Sequence, residues 1–249
     1  MEIRENERID YVNDSLSLIQ NTEGLTFGTD ALLLAGYIGS GYREGLELGG
    51  GTGIISMLLA ARGKIASVSC AEIQEEYAEL IERNIAHNSL GDRMRCVHSD
   101  IRELKAPECD VIYTNPPYMK TDSGYANRIN KKNIARHEVH GSILDFCMAA
   151  RRLLKFGGDF FAVYRPDRLA DLISAMREAG IEPKRMTLVQ ADVRSTPSML
   201  LIEGRRGGKS GMRLTRPLII YADEAHAEYG ADMKYIMENG SFPEDFSVR

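Results

Sequence analysis

The sequence predicts an α/β domain in which a mostly parallel sheet carries helices on both faces. Short apolar runs alternate with stretches of roughly ten to sixteen residues that have helical spacing, which is the pattern of βαβ units. The composition, 43% hydrophobic and 27% charged, is that of an ordinary soluble globular protein. A chain of 249 residues buries about 70% of its unfolded surface, so it needs neither a metal nor a disulfide to fold.

The first half of the core reads as strand, helix, strand, helix, strand. Residues 45–48 form a short apolar run that ends in glycines, and residues 52–62 have helical spacing. Residues 66–71 are typical of a strand. Residues 74–89 repeat apolar side chains as an amphipathic helix does, and residues 95–98 are the third strand.

The second half continues this alternation and closes with a pair of strands that we expect to form an antiparallel hairpin. Gly157 and Gly158 are expected to stop the helix before them. The predicted elements are strand 109–114, helix 142–156, strand 159–164, helix 167–179, and strands 181–190 and 197–203.

A short extension precedes this core, and a tail follows it. We place the extension at residues 1–44, the core at 45–216 and the tail at 217–249. In the extension, residues 18–20 and 25–27 flank a polar stretch at 21–24, which predicts a small hairpin before a helix at 30–38. We expect this extension to pack on the core as a lid or a wall.

Charge and cysteine usage narrow the class of protein. Averaged over the whole chain, the net charge of −5 argues against a polyanionic partner such as a nucleic acid. No apolar run approaches the roughly eighteen residues of a membrane span, and the charged N-terminus does not resemble a signal peptide. The four cysteines lack CxxC spacing, so we expect buried free thiols, no metal site and a cytoplasmic protein.

A glycine-rich loop follows the first core strand. Gly49, Gly51 and Gly53 are spaced by twos, and glycines let a backbone turn tightly and approach a ligand closely. The loop lacks the Lys-Ser/Thr of a phosphate-binding Walker loop. Glu47 at its entry would repel a pyrophosphate but suits a cationic ligand such as the ammonium of S-adenosylmethionine. A plain strand–helix turn and a dinucleotide site remain as alternatives.

Two further acids follow the next two strands. Glu72, with Ile73 after it, ends the second strand and could accept ribose hydroxyls, while Asp100, with Ile101 after it, could accept an adenine amine. Each alone could instead cap a helix or lie in a solvated loop. Together with Glu47 they are expected at the carboxyl edge of the sheet, where open α/β sheets bind ligands.

The sharpest motif is Asn115-Pro116-Pro117-Tyr118, directly after the fourth strand. Two prolines fix φ and remove two backbone donors, so this loop presents carbonyls and an amide side chain. A rigid Pro-Pro turn is the alternative. In its place after the glycine loop and the acids, the motif resembles that of class I S-adenosylmethionine-dependent methyltransferases that modify nitrogen on planar groups.

This resemblance implies a chemical role for each residue of the motif. The Asn115 side-chain oxygen and the Pro116 carbonyl would accept the two N–H bonds of an exocyclic amine and direct its lone pair. Tyr118 would stack on the base. Such an arrangement works by proximity and by electrostatic stabilisation, and the target base must leave its stack to enter.

Family-specific stretches at residues 27–31, 135–138 and 182–185 are similar to those of the bacterial tRNA(Val) adenine-N6 methyltransferase family, over roughly residues 7–230. The resemblance implies a Rossmann-like class I fold with a seven-stranded sheet. It also implies S-adenosylmethionine as cofactor, S-adenosylhomocysteine as product and tRNA as partner. Thr29 and Asp30 would cover the methionine end of the cofactor. Glu47, in place of the usual aspartate, and Gly50, in place of a small hydroxyl residue, depart from the family pattern.

Two basic stretches are candidates for contact with RNA, although each could be a solvated loop. Residues 120–135 lie between the Asn115 motif and the family stretch at 135–138, and residues 204–216 contain five basic residues and no acid. We expect His137 to be a structural or RNA-contacting residue rather than a general base in catalysis. The candidate substrate contacts are Lys120, Arg128, Lys131, Lys132, Arg136, His137, Arg205, Arg206 and Lys209.

We therefore expect a methyltransferase that acts on adenine N6 in tRNA beside the anticodon. The same chemistry on an rRNA or DNA base, or on a protein glutamine, is an alternative, and the lack of room for a target-recognition domain argues against sequence-specific DNA. A non-catalytic RNA-binding protein on this fold is a further alternative. A nicotinamide dehydrogenase is disfavoured by the Asn115 motif and Glu47. The sequence leaves the oligomeric state open.

Overall fold

The structure is a computed structural model that describes residues 3–22, 27–116 and 141–247. An antiparallel hairpin, β1 (Glu7–Asn13) and β2 (Leu16–Asn21), comes first, and helix α1 (Thr29–Tyr37) follows. The main sheet has seven long strands: β3 (Tyr42–Leu48), β4 (Ile65–Glu72), β5 (Met94–His98), β6 (Cys109–Thr114), β7 (Leu154–Tyr164), β8 (Ile181–Gln190) and β9 (Met199–Arg206).

The strand order in this sheet is β8-β9-β7-β6-β3-β4-β5. The short strands β10 (Arg213–Leu214) and β11 (Leu218–Ile219) pair with β8. Within the described part of the sheet, β9 alone runs against its neighbours. The chain moves outward from β3 to β5 and then returns to β6 beside β3. This reversal places the switch point of the sheet, and hence the expected ligand crevice, at the carboxyl ends of β3 and β6. The predicted mostly parallel, Rossmann-like sheet is confirmed.

Helices cover both faces of the sheet and divide the core in two. The remaining helices are α2 (Ile54–Ala61), α3 (Glu75–His87), α4 (Ile143–Leu153), α5 (Leu169–Glu178) and α6 (Ala231–Asn239). One core lies among α1, α2 and α3, and the other lies under α4 and α5. Along β7, Phe161 and Val163 face the first core while Phe160 and Ala162 face the second. A strand buried on both faces explains why β7 reads as a continuous apolar run.

The N-terminal hairpin differs from the one predicted. The prediction put the turn at residues 21–24, but β1 and β2 turn at residues 14–15. There the Asn13 side chain accepts a hydrogen bond from the backbone N–H of Ser15 at 2.9 Å, a local turn that the polar side chain makes for itself. The predicted strand at 18–20 is therefore the second strand of the hairpin. Leu25 and Thr26 lie outside the described residues.

The helix predicted at 142–156 ends early, at Leu153, and β7 begins at once. Its start is as predicted, because Ser142 and Asp145 form a reciprocal capping box. Gly158 lies inside β7 rather than after a helix. A Cβ at this position would lie 2.8 Å from the Asp110 carbonyl oxygen, so the close approach of β6 favours glycine here. The two glycines thus mark an irregular strand and not a helix stop.

The segment after residue 216 packs on the core. Phe246 is fully buried, and its backbone carbonyl accepts a hydrogen bond from Arg185 at 2.7 Å. Arg216 pairs with both Asp232 and Asp245. Residues 217–249 contain seven acidic and two basic residues, and two of these acids are thus neutralised within the protein. No helix among the described residues is both long and apolar enough to cross a bilayer.

Candidate active site

Four predicted site elements end along one edge of the sheet. The glycine loop follows β3, Glu72 ends β4, Asp100 follows β5, and Asn115 follows β6. The four strands are neighbours in the order β6-β3-β4-β5, with parallel pairing. Sheet topology therefore brings these elements to a single crevice at the switch point.

Each of the alternate glycines in the loop has a left-handed backbone. Gly49, Gly51 and Gly53 have φ values of 74°, 54° and 77°. Residues other than glycine rarely adopt this backbone conformation. The path of the loop therefore requires glycine at each of these three positions. The backbone N–H groups of Gly49 and Gly50 donate to the Ala71 carbonyl at 2.9 and 3.0 Å, which fixes the loop against β4.

Glycine is required at position 50 for a steric reason and not for its backbone conformation. A Cβ at this position would lie 2.2 Å from the sulfur of Cys70 and 3.2 Å from a methyl carbon of Ile81. The departure from the small hydroxyl residue of related loops is thus explained by the buried Cys70 thiol beneath it.

Glu47 lies beneath the glycine loop rather than facing the crevice. It is 1% exposed and accepts hydrogen bonds from the backbone N–H and the hydroxyl of Ser56 in α2. The Ser56 hydroxyl also shares a hydrogen bond of 2.8 Å with the Tyr113 hydroxyl. Burial raises the pKa of Glu47 to about 7. The expectation that this carboxylate faces a cationic ligand is not supported by its position; it ties the loop to the start of α2.

Glu72 connects the glycine loop to the start of α3. It is 4% exposed, and its two oxygens accept hydrogen bonds from the backbone N–H groups of Gly51 at 2.8 Å and Gln74 at 2.9 Å. Beside it, the carbonyl of Ile73 is 2.9 Å from His98 Nε2. The carboxylate predicted to bind ribose is therefore held at the lip of the loop by two backbone donors.

Asp100 stabilises its own turn. One of its oxygens accepts a hydrogen bond from the backbone N–H of Arg102 at 2.8 Å, and both accept from the Arg102 guanidinium. This hydrogen bonding lowers the pKa of Asp100. Ile101 is buried in the core under α4. Of the alternatives that the sequence left open for Asp100, the structure shows a loop residue that stabilises its own turn, with a part-exposed carboxylate after β5.

Asn115 is held by Asp30. Its side-chain Nδ2 donates to the Asp30 carboxylate at 2.7 Å, joining two motifs that are 85 residues apart. The Thr114 hydroxyl donates to the Leu48 carbonyl at 2.8 Å and aligns the ends of β6 and β3. Pro116 is buried, whereas Pro117 and Tyr118 lie outside the described residues.

An open cavity of about 700 Å³ lies on the β7 side of Asn115, away from the glycine loop. Thr29 and Asp30 form one wall. The other lining residues, which sequence reasoning did not assign to a site, are Tyr164, Arg165, Pro166, Asp167, Pro197, Ser198 and Met199. In the sequence, only their position could have indicated a site. Residues 164–167 lie at and after the carboxyl end of β7, and residues 197–199 lead into β9.

Comparison with known proteins places this geometry in a family. Residues 22–176 match the methyltransferase small domain. The chain belongs to this family. A curated relative from Dyadobacter fermentans, named tRNA1(Val) (adenine(37)-N6)-methyltransferase, is 29% identical over 63% of the chain, and the match spans 65% of that protein, just under two thirds. A Bacteroides fragilis protein of the same name is 31% identical over 70% of the chain and 75% of its own length.

Solved structures support the fold of this methyltransferase-family chain. A predicted O-methyltransferase from Agrobacterium tumefaciens superposes with a TM-score of 0.68 over 85% of the chain and 96% of its own length, at 21% identity.

The predicted RNA contacts at residues 204–216 lie away from the crevice. Arg205 is paired with Asp159 in β7, and Arg206 with Glu108, directly before the start of β6. Because β9 is antiparallel to β7, its last residues lie at the edge of the sheet opposite Asn115. The structure thus does not bring Arg205, Arg206 or the adjoining Lys209 together with the site. The other candidate contacts, Lys120, Arg128, Lys131, Lys132, Arg136 and His137, lie outside the described residues.

Proposed function

We propose that this protein transfers a methyl group from S-adenosylmethionine to N6 of an adenine in tRNA, beside the anticodon. The observation that carries the proposal is the Asn115 side chain at the end of β6, which is held by Asp30, a residue in the wall of the open cavity. The names of the relatives from Dyadobacter fermentans and Bacteroides fragilis support adenine N6 and tRNA as the acceptor.

The residues at the crevice fit this cofactor. The backbone of the glycine loop has no side chain at residues 49–51, so a ligand can approach it closely. Glu72 would accept hydrogen bonds from ribose hydroxyls, and Asp100, which follows the next strand outward, would accept one from an adenine amine. When bound, S-adenosylmethionine supplies an electrophilic methyl group on a positively charged sulfur.

The protein supplies orientation at the acceptor amine. An exocyclic amine is a poor nucleophile because its lone pair is delocalised into the ring. The Asn115 side-chain oxygen and the Pro116 carbonyl would accept its two N–H groups, so that the nitrogen becomes pyramidal and its lone pair is directed. Placing the reacting atoms about 3 Å apart is a proximity effect, and hydrogen bonds aimed at the developing charge add electrostatic stabilisation.

The cavity beside Asn115 is the entrance that we propose for the acceptor base. Cofactor-side elements end β3, β4 and β5, whereas the cavity lies at β7 and β9, so the two reactants would meet across β6. A volume of about 700 Å³ accommodates an unstacked nucleotide. Pro166, Pro197 and Met199 give the cavity apolar surface against which a base can pack.

The basic residues of the stretch at 120–136 remain our candidates for contact with the RNA backbone. Lys120, Arg128, Lys131, Lys132 and Arg136 directly follow the Asn115 motif in sequence. A local basic segment can bind phosphates even though the net charge of the chain is −5.

Nucleoside mass spectrometry of a deletion strain tests the substrate. We expect N6-methyladenosine to disappear from one purified tRNA and to return when the intact gene is supplied. An unchanged N6-methyladenosine content in all tRNA, with a methyl group lost from rRNA, DNA or a protein glutamine, would reject tRNA and leave the reaction class in place.

A further inference from the structure

Asp30 occupies a fixed position at the start of α1. Its Oδ1 accepts a hydrogen bond from the backbone N–H of Ala31 at 2.9 Å, and its Oδ2 accepts one from Asn115 Nδ2 at 2.7 Å. The helix is anchored in the core by Leu33 and Leu34, both fully buried. The carboxylate therefore has little freedom to move relative to β6.

The chemistry of this pair permits one orientation of the Asn115 amide. An ionised carboxylate only accepts hydrogen bonds, whereas an amide has a donor end and an acceptor end. Asn115 must turn its NH2 group toward Asp30, and its oxygen Oδ1 is then directed away from Asp30. A bond from an amide to a carboxylate is also stronger than one between two neutral groups.

The orientation matters because the acceptor amine also carries N–H groups. If the amide were reversed, its NH2 group would meet the amine donor to donor, and no hydrogen bond could form. If the amide rotated freely, part of the population would be unproductive.

We propose that Asp30 is a positioning residue that holds the NH2 end of the Asn115 amide, so that the amide oxygen is turned away from Asp30 and toward the acceptor amine. This inference rests on the proposed function. It differs from the role that the family resemblance implies, in which Asp30 covers the methionine end of the cofactor. The position of Asp30 in the wall of the cavity, on the β7 side of Asn115, supports the positioning role.

The residue before the helix is adapted to this arrangement. A Cβ at Gly28 would lie 2.7 Å from Asp30 Oδ1, so a side chain there would disturb the carboxylate. Gly28 itself makes no side-chain cap, and Asp30 lies in the first turn, where a negative charge is favourable.

The matched test is Asp30→Asn, with Asp171→Asn as control. Asp171 is exposed on α5 and pairs with nearby Arg168, so its replacement makes the same chemical change at a residue outside the cavity lining. An asparagine at 30 can present either end to Asn115, so this contact no longer selects one orientation of the amide. We expect kcat for tRNA methylation to fall about 10- to 100-fold, as a misplaced reacting group does. The Kd for S-adenosylmethionine, measured by calorimetry, should stay within about twofold of wild type, since the cofactor side is unaltered.

A second comparison isolates the route through Asn115. In an Asn115→Ala background, Asp30→Asn should cause no further loss of rate, because the group that Asp30 positions is gone. An additional loss in that background would show that Asp30 acts elsewhere and would overturn the proposal. A higher Kd for S-adenosylmethionine in Asp30→Asn, or an unchanged kcat, would overturn it as well.

A spectroscopic measurement separates this inference from the proposed function. In asparagine-labelled full-length protein, the side-chain NH2 signal of Asn115 is identified by its loss in Asn115→Ala. We expect one of its protons to resonate downfield in wild type and Asp171→Asn, and to move upfield in Asp30→Asn. An unshifted signal would overturn the inference even if tRNA is methylated. A shifted signal in a protein that methylates no tRNA would reject the proposed function and leave the contact between Asp30 and the Asn115 amide standing.

Discussion

The backbone N–H of Gly51 donates to the Glu72 carboxylate at 2.8 Å and so joins the loop after β3 to the end of β4. The other Glu72 oxygen accepts from Gln74 at the start of α3. One buried side chain thereby connects the segment that would approach the methionine part of the cofactor with the strand end that would hold its ribose. We therefore expect both the conformation of the glycine loop and the affinity for the cofactor to depend on the Glu72 carboxylate.

Glu72→Gln tests this dependence. A glutamine offers one oxygen in place of two, so either Gly51 or Gln74 loses its acceptor, at a cost of about 1–3 kcal/mol. We expect the Kd for S-adenosylmethionine to rise about tenfold or more in calorimetry. Glu82→Gln, an exposed change on α3, is the control and should leave Kd unchanged. Equal affinities for the two variants would show that Glu72 does not bind the cofactor.

Gly50→Ala tests the close contact beneath the loop. Its Cβ would overlap the Cys70 sulfur, and we expect the free energy of unfolding to fall by about 1–3 kcal/mol in urea denaturation. Cys70→Ala makes room for the new methyl group. The double variant should therefore lose less stability than the sum of the two single variants. Simple additivity would mean that Cys70 is not what requires glycine here.

The raised pKa of Glu47 predicts that the free energy of unfolding depends on pH. Its folded pKa of about 7 lies above the ordinary value of 4.5 for a glutamate, so the folded state holds the proton more tightly than the unfolded state does. The stabilisation is fully present below pH 4.5 and is lost as pH rises toward about 7, with a total on the order of 3 kcal/mol.

Glu47→Gln removes this titration. Between pH 4.5 and 7, the unfolding free energy of wild type should decline relative to that of the variant in urea denaturation at a series of pH values. Curves that stay parallel across this window would show that Glu47 has an ordinary pKa and is not buried as described.

Substitutions at Arg165 and at Arg206 should differ in their effect on KM for tRNA. Arg165 lines the cavity beside Asn115, whereas Arg206 pairs with Glu108 at the opposite edge of the sheet. We expect Arg165→Gln to raise KM for tRNA several-fold and Arg206→Gln to leave it unchanged, in steady-state assays at fixed salt, because phosphate contacts weaken as salt rises. A larger effect at Arg206 would restore the sequence prediction for residues 204–216.

Much of the fold follows from local patterns. The alternation of strands and helices, the start of a helix at Ser142 and the strand 109–114 were predicted correctly, because each depends on residues close together in sequence. The N-terminal hairpin was placed wrongly, since the turn made by Asn13 depends on one side-chain hydrogen bond that the alternation of polar and apolar residues does not reveal. Domain bounds at 44 and 216 stay predictions.

The candidate site was predictable as a set of strand ends but not as a set of contacts. The positions of Gly49, Glu72 and Asn115 follow from the parallel sheet. The bond between Ser56 and Tyr113 beside the buried Glu47, and the bond from Asn115 to Asp30, join residues 57 and 85 positions apart and depend on packing between elements. The location of Arg206 was in principle accessible, because an antiparallel last strand must return to the opposite edge.

The most direct test of the account is methyl transfer to an unmodified tRNA transcript by the full-length chain and by Asn115→Ala. With labelled S-adenosylmethionine and digestion to nucleosides, the wild type should place the label in N6-methyladenosine. Asn115→Ala should do so about 10²–10³-fold more slowly, the loss that follows removal of one preorganised hydrogen-bonding group at a reacting centre. Full activity of Asn115→Ala, or label in a nucleoside other than N6-methyladenosine, would contradict the account.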